Sequence, residues 1–173
     1  MSEPDLIVGW REWVHMPLLG VRMVKAKVDT GARTSALHAE NIRILRRGRR
    51  DTVAFTVYPQ QRSRVHGVEA EAPLLELRWI RSSNGTQELR PVVQTAIDIG
   101  GNQWEIELTL TRRDLMGFRM LLGRQALRSH AMVDPSRSFL TRKAKKKKKK
   151  GATERPPPRP RNSRLPPEPA DGR

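Results

Sequence analysis

Val21-Arg22-Met23-Val24-Lys25-Ala26-Lys27-Val28-Asp29-Thr30-Gly31-Ala32 is an apolar-alternating run that ends on an acid, a threonine and a glycine. Alternation of period two predicts a strand with one buried face, so the Asp29 carboxylate sits where the strand ends and the chain turns. A rigid support therefore carries an acid. Taken alone, Asp-Thr-Gly is a weak signal: average residue usage gives such a triplet by chance in roughly a few per cent of chains this long. An Asx-type turn after a strand would use the same residues.

A second element stands about 90 residues on, where Met120-Leu121-Leu122-Gly123-Arg124 gives an apolar run, a glycine and an arginine before a short helix expected over Arg124 to Ser129. By itself it reads as a core strand with a glycine corner. The two elements in this order and at this separation coincide far less readily than either occurs alone.

Around them, short segments rich in β-branched and aromatic residues predict strands at Leu6 to Val14, Val21 to Val28, Ser35 to Ala39, Ile42 to Arg46, Thr52 to Tyr58, Leu74 to Arg81, Gln87 to Ile99 and Gln103 to Leu110. A mainly all-β, mostly antiparallel barrel or sandwich is expected. Ser83-Asn84-Gly85 and Gly100-Gly101-Asn102 mark two hairpin turns. In the second hairpin Ile97, Ile99, Trp104, Ile106, Leu108 and Leu110 should face the core, with Asp98, Glu105, Glu107 and Thr109 toward water. Thr111 and Asp114 could cap a helical turn reaching Met116.

The 173 residues hold 34 Lys+Arg against 18 Asp+Glu, a formal net charge of +16 that is unevenly spread. Residues 141–173 contain 13 basic and 3 acidic residues, including the run Lys145 to Lys150, and 7 of the 13 prolines, but no aromatic residue. Like-charge repulsion and missing apolar groups predict one folded domain over residues 1–142 and a disordered tail over 143–173. No apolar stretch is long enough to span a membrane and no secretory leader is evident, so a soluble cytoplasmic protein is expected. The absence of cysteine excludes disulfides, thiolate metal sites and cysteine nucleophiles.

The Asp29 and Gly123 elements together resemble retropepsin-like aspartic proteases. More closely, Gly9-Trp10-Arg11-Glu12, Lys25 through Ala39, Glu71-Ala72-Pro73, Met120 through Arg124 and Val133-Asp134-Pro135-Ser136-Arg137-Ser138 resemble the bacterial RimB-like proteins, described as ATP-dependent zinc proteases. The likeness runs from about residue 6 to 142 and leaves out the tail.

The resemblance implies a retropepsin-like closed β-barrel with one or two short helices and an aspartic endopeptidase activity. Asp29 from each subunit of a homodimer would form a carboxylate pair that shares a proton and activates water. By the same resemblance Thr30 would buttress the loop, Gly31 would admit substrate backbone, Ala32 would complete the motif and Gly123 would give the loop room. Asn84 and Gly85 would belong to a flap over the substrate.

One departure stands out. Viral-type retropepsins carry an acid soon after the motif, whereas here Arg33 follows Ala32 directly. Arg33 and Arg124 are expected to bind substrate, biasing the site toward acidic peptides or toward an unusual pH optimum; the plain alternative is that Arg33 faces solvent. Zinc and ATP find little support. His15, His38, His66 and His130 are scattered, and neither a His-Glu-x-x-His motif nor a phosphate loop occurs, so no cofactor and no metal ligands are expected. The ATP in the label is either a name without a site behind it or a mark of association with ATP-grasp ligases that add glutamate to proteins, which would make acidic tails the substrates. The competing function is a non-catalytic module that binds RNA, the ribosome or acidic proteins through its basic surface and tail.

Overall fold

A computed structural model of the chain describes residues 6–82, 84–112 and 117–141. The tail from 143 on, the middle of the turn expected between Thr111 and Met116, and Ser83 lie outside the described residues.

Strands make up 64% of the structure. They are β1 (Leu6–Gly9), β2 (Arg11–Met16), β3 (Val21–Asp29), β4 (Ser35–His38), β5 (Glu40–Arg47), β6 (Arg50–Val57), β7 (Val68–Arg81), β8 (Gln87–Ile99), β9 (Asn102–Thr111), β10 (Met120–Gly123) and β11 (Ala131–Asp134), with, among the described residues, one α-helix, α1 (Arg124–Leu127), and a 3-10 turn at Pro17–Leu19. The order β2-β3-β10-β4-β9-β8 closes on itself through the bridge His15–Asp98, giving a six-stranded barrel. β8 makes this possible because it is long: β9 holds one edge, while β7 and then β2 share the other. From β8 the strands β7, β6 and β5 continue as an antiparallel extension.

Eight strands were expected where the described residues hold eleven, and three pairings are parallel: β1 with β11, β3 with β10 and β4 with β9. The expected single strand Leu6 to Val14 breaks at Trp10. There the Trp10 amide donates to the Arg137 carbonyl at 2.9 Å, while its own carbonyl accepts from Val28 at 2.9 Å, so the chain leaves one sheet and enters another. β7 begins at Val68, well before Leu74, because Val68 to Pro73 pairs with β6.

The hairpin alternation expected in β8 and β9 holds for its apolar positions, with Ile97, Ile99, Ile106, Leu108 and Leu110 all buried. Each such side chain contributes roughly 1.5–3 kcal/mol by leaving water. Thr109 is the exception to its expected outward face: it is 1% exposed. β4 pairs alongside and covers it, and its hydroxyl donates to the Ser35 carbonyl at 2.8 Å, which satisfies the buried group. Gly100 and Gly101, at φ of 64° and 92°, form the tight turn, as only glycine does cheaply in that pair of conformations.

The end of β11 is held by a turn. The Asp134 carboxylate accepts from the Ser136 hydroxyl at 2.6 Å and from its amide at 2.9 Å. Chiefly through the Ser136 side chain, these bonds hold the Asp134 carboxyl below its ordinary value. The sign follows: the depressed pKa contributes stability above the ordinary carboxylate range, lost as pH falls through the folded value. Ser136→Ala should move the Asp134 titration midpoint up toward 3.8, as read by NMR of the carboxyl carbon. An unmoved midpoint would contradict the assigned cause.

Candidate functional site

β3 and β10 run parallel in register, with Gly123 opposite Asp29. At the end of β3 the chain turns. Asp29 Oδ1 accepts from the Gly31 amide at 3.0 Å and the Ala32 amide at 3.2 Å, so the carboxylate braces its own loop. The loop in turn lies on the β10–α1 corner. The first amides of α1, at Arg124 and Gln125, donate to the Ala32 and Arg33 carbonyls at 2.9 and 3.1 Å, satisfying donors that a helix start leaves unpaired. Gly123 is needed for this contact, because a Cβ there would lie 2.6 Å from the Thr34 carbonyl carbon and oxygen.

Arg124 takes a role different from the expected one. Its guanidinium donates to the Thr30 and Gly31 carbonyls, at 3.4 and 3.1 Å, and it does not line the cleft beside Asp29. Two backbone oxygens thus occupy the arginine in the place of the acid that viral-type enzymes carry. Among the described residues neither Arg33 nor Arg124 forms an ion pair with Asp29.

Asp29, Gly31, Ala32 and Arg33 border a cleft of about 1160 Å³. Thr30 stands exposed on the same loop but is not part of its wall. Facing the loop are Trp79, Ile80, Arg81 and Ser82 at the end of β7, with Arg90 on β8. Trp10 and Phe118 close one side, in edge-to-face contact at 6.0 Å. Asn84 and Gly85, expected to touch substrate, are not in the cleft wall. They form the hairpin tip, where Asn84 Oδ1 accepts from the Thr86 amide at 3.1 Å and Gly85 has φ of 85°. The stem of that hairpin, and not its tip, lies over the loop.

Among the described residues five cations line the cleft, Lys27, Arg33, Arg78, Arg81 and Arg90, against the carboxylates of Asp29 and Glu107. Arg78 donates twice to Glu107 at 3.0 Å and pairs with Glu76, and Arg90 pairs with Glu88 at 2.7 Å. Burial works to lower the Arg78 pKa, but the bonds to Glu107 and Glu76 outweigh it and leave it above the ordinary value. Lys27, Arg33 and Arg81 form no ion pair among the described residues and are exposed. The sequence flagged Arg33 alone. Arg78, Arg81, Arg90 and both tryptophans were missed, although arginines interleaved with Trp79 in Arg78-Trp79-Ile80-Arg81 were the available signal.

The match to a family model decides what kind of chain this is: residues 7–144 fit the one described as RimB-like, retropepsin-like aspartic endopeptidase RimB. The chain belongs to the RimB-like family. A solved structure with the same fold is a Legionella pneumophila protein of unknown function (DUF785), 28% identical, covering 79% of this chain and 98% of that one, with a TM-score of 0.65. Among curated proteins, this chain is 50% identical over 139 residues to a probable alpha-L-glutamate ligase of Shewanella pealeana and 45% identical over 133 residues to one of Parasynechococcus marenigrum. The matches cover 80% and 77% of this chain, but the chain spans only 30% and 28% of those relatives.

These names correct the expected function. Relatives at 42–50% identity over 130 to 139 residues are named for glutamate ligation, not for endoproteolysis, and equally not for a non-catalytic RNA or ribosome module. An enzyme family is what this RimB-like chain and its relatives share. Zinc does not fit the site. Among the described residues no group of three or more His, Asp or Glu side chains could hold a metal ion, and His38 is buried beside Glu40, with Nε2 3.3 Å from Oε1. Among the described residues no helix is long and apolar enough to cross a membrane.

Proposed function

We propose that this chain is an enzyme domain of glutamyl-peptide chemistry, whose basic cleft holds the oligoglutamate chain on which alpha-L-glutamate ligation acts. The observation that carries it is the trio Lys27, Arg33 and Arg81, exposed cations without an ion pair among the described residues, in a cleft where five cations face two carboxylates. Such a surface attracts a polyanion and repels a polycation. The names of the curated relatives, probable alpha-L-glutamate ligases, supply the chemical class, and a run of joined glutamates is the polyanion that this class suggests. Asp29 is the carboxylate that this cleft brings to the bound chain, on a loop fixed by Arg124 and Gly123.

Trp10 and Trp79 line the cleft, so their fluorescence reports occupancy. Tetraglutamate should quench or shift the emission saturably, and tetralysine should not. Arg33→Ala and Arg81→Ala should each weaken binding about 3- to 10-fold, since each removes one partly solvated charge pair, with the loss shrinking as salt is raised. Equal affinity for tetraglutamate and a neutral tetrapeptide would sink the reading. Asp29→Asn should leave tetraglutamate binding intact while changing the glutamate chain lengths that accumulate when a glutamate ligase and its acceptor protein are supplied. Shortening of free oligoglutamate by this chain alone would replace the reading with a different reaction.

A further inference from the structure

A second recess of about 500 Å³ adjoins the cleft, and four residues line both: Thr34, Gln125, Arg78 and Glu107. Two of these, Thr34 and Gln125, belong to the Asp29 loop and α1. The other two form the ion pair that spans from β7 to β9, in which both terminal nitrogens of Arg78 donate to Glu107 Oε2. The recesses therefore communicate through a saddle with the loop on one side and the Arg78–Glu107 pair on the other.

Beyond the saddle the polarity reverses. Among the described residues Arg78, already engaged by Glu107, is the only Lys or Arg lining the second recess, while Glu105 and Glu107 bring two carboxylates. Glu105 is exposed and its Oε2 accepts from Gln94 Nε2 at 2.9 Å, an amide donor that leaves the carboxylate's charge uncompensated. His130 completes the wall, its ring stacked at 5.0 Å on Trp104, which is itself anchored by donating to the Ala126 carbonyl at 2.8 Å. A flat ring, an amide, a lone carboxylate and the apolar Leu75 suit an ordinary or basic residue and disfavour a further glutamate.

We infer that the second recess is a specificity subsite for the residue next to the glutamate run, so that the groove reads the junction between a protein segment and its glutamate chain, with a lysine or arginine held by Glu105. The inference rests on the proposed function. Where a glutamate run extends the end of a protein, the protein's own sequence lies on its N-terminal side, and that is the side on which Glu105 would meet a basic residue.

The test compares two acetylated peptides, tetraglutamate preceded by Ala-Ala-Lys and tetraglutamate preceded by Ala-Ala-Ala, by tryptophan fluorescence on the full chain. The lysine peptide should bind about threefold tighter, the effect of one partly exposed ion pair. The ratio should fall to one in Glu105→Gln and invert in Glu105→Lys. A ratio of one in the unsubstituted chain, with tetraglutamate still bound, overturns the subsite and leaves the proposed function standing. A ratio above one that ignores both Glu105 substitutions also overturns it, by placing the lysine elsewhere. Failure of tetraglutamate itself to bind removes the proposed function, and the subsite with it.

Discussion

Gly123→Ala should lower the melting temperature by about 10 °C, since forcing a methyl into packed backbone costs about 3 kcal/mol in a domain of this size. Backbone conformation is not the cause, for Gly123 has φ of −80°, which any residue adopts. The obstacle is contact: a Cβ would sit 2.6 Å from the Thr34 carbonyl carbon and oxygen and 2.7 Å from the Arg33 carbonyl oxygen. Backbone atoms cannot rotate aside as a side-chain tip can, so β10 and the Asp29 loop must part. That separation would also cost the amide bonds from Arg124 and Gln125 to the loop and from Gly123 to Ser35 Oγ, the last at 3.1 Å. Tetraglutamate affinity should fall with stability. A melting temperature within about 2 °C of the native value would mean that the loop yields easily, and would remove the argument that β10 holds Asp29 in place.

Glu12→Leu should be the second severe change. The Glu12 side chain is fully buried in β2, yet both of its carboxylate oxygens are matched: Oε1 accepts the Gly9 and Leu140 amides, both at 2.8 Å, and Oε2 accepts the Thr141 hydroxyl at 2.9 Å. Leucine fits the space roughly but leaves those donors without partners, a loss of about 3 kcal/mol. Glu12→Gln keeps a carbonyl oxygen for the two amides and turns an NH₂ toward the Thr141 oxygen, so it should cost only about 1 kcal/mol. Urea denaturation with hydrogen exchange at Gly9 and Leu140 measures both. Equal losses for the two variants would show that charge, and not the hydrogen-bond pattern, is what the buried carboxylate supplies.

The sequence carried the parts of the site that are local. The alternation of Val21 to Val28 ending at Asp29, and Leu122-Gly123-Arg124 before a short helix, both stand in the structure where period and glycine placement put them. What it could not carry was pairing between distant strands. Parallel neighbours such as β4 and β9 leave no hairpin turn between them to read, and Thr109 looked like a water-facing residue until β4 covered it. The cleft cations were hidden for the same reason. Charge says that Arg78, Arg81 and Arg90 avoid a packed core, but only the fold shows that the stem of their hairpin lies over the loop of residues 29 to 33. Asn84 and Gly85, read from the sequence as flap residues, make the turn and stand outside the cleft wall, a placement that the Asn-Gly pair alone does not reveal.

The parallel pairing of β1 with β11 joins Leu6 to Ala131 and Gly9 to Asp134. Such a clasp cannot form until nearly the whole domain has left the ribosome, so the first strand must wait, unpaired and apolar, through most of its own synthesis. Closing so long a loop is entropically late, and the many contacts between residues far apart in the chain place the domain among slow folders. The rate at which this protein is made, and the holding chaperones it meets while β1 is bare, therefore bear on its yield as directly as the stability of the finished barrel.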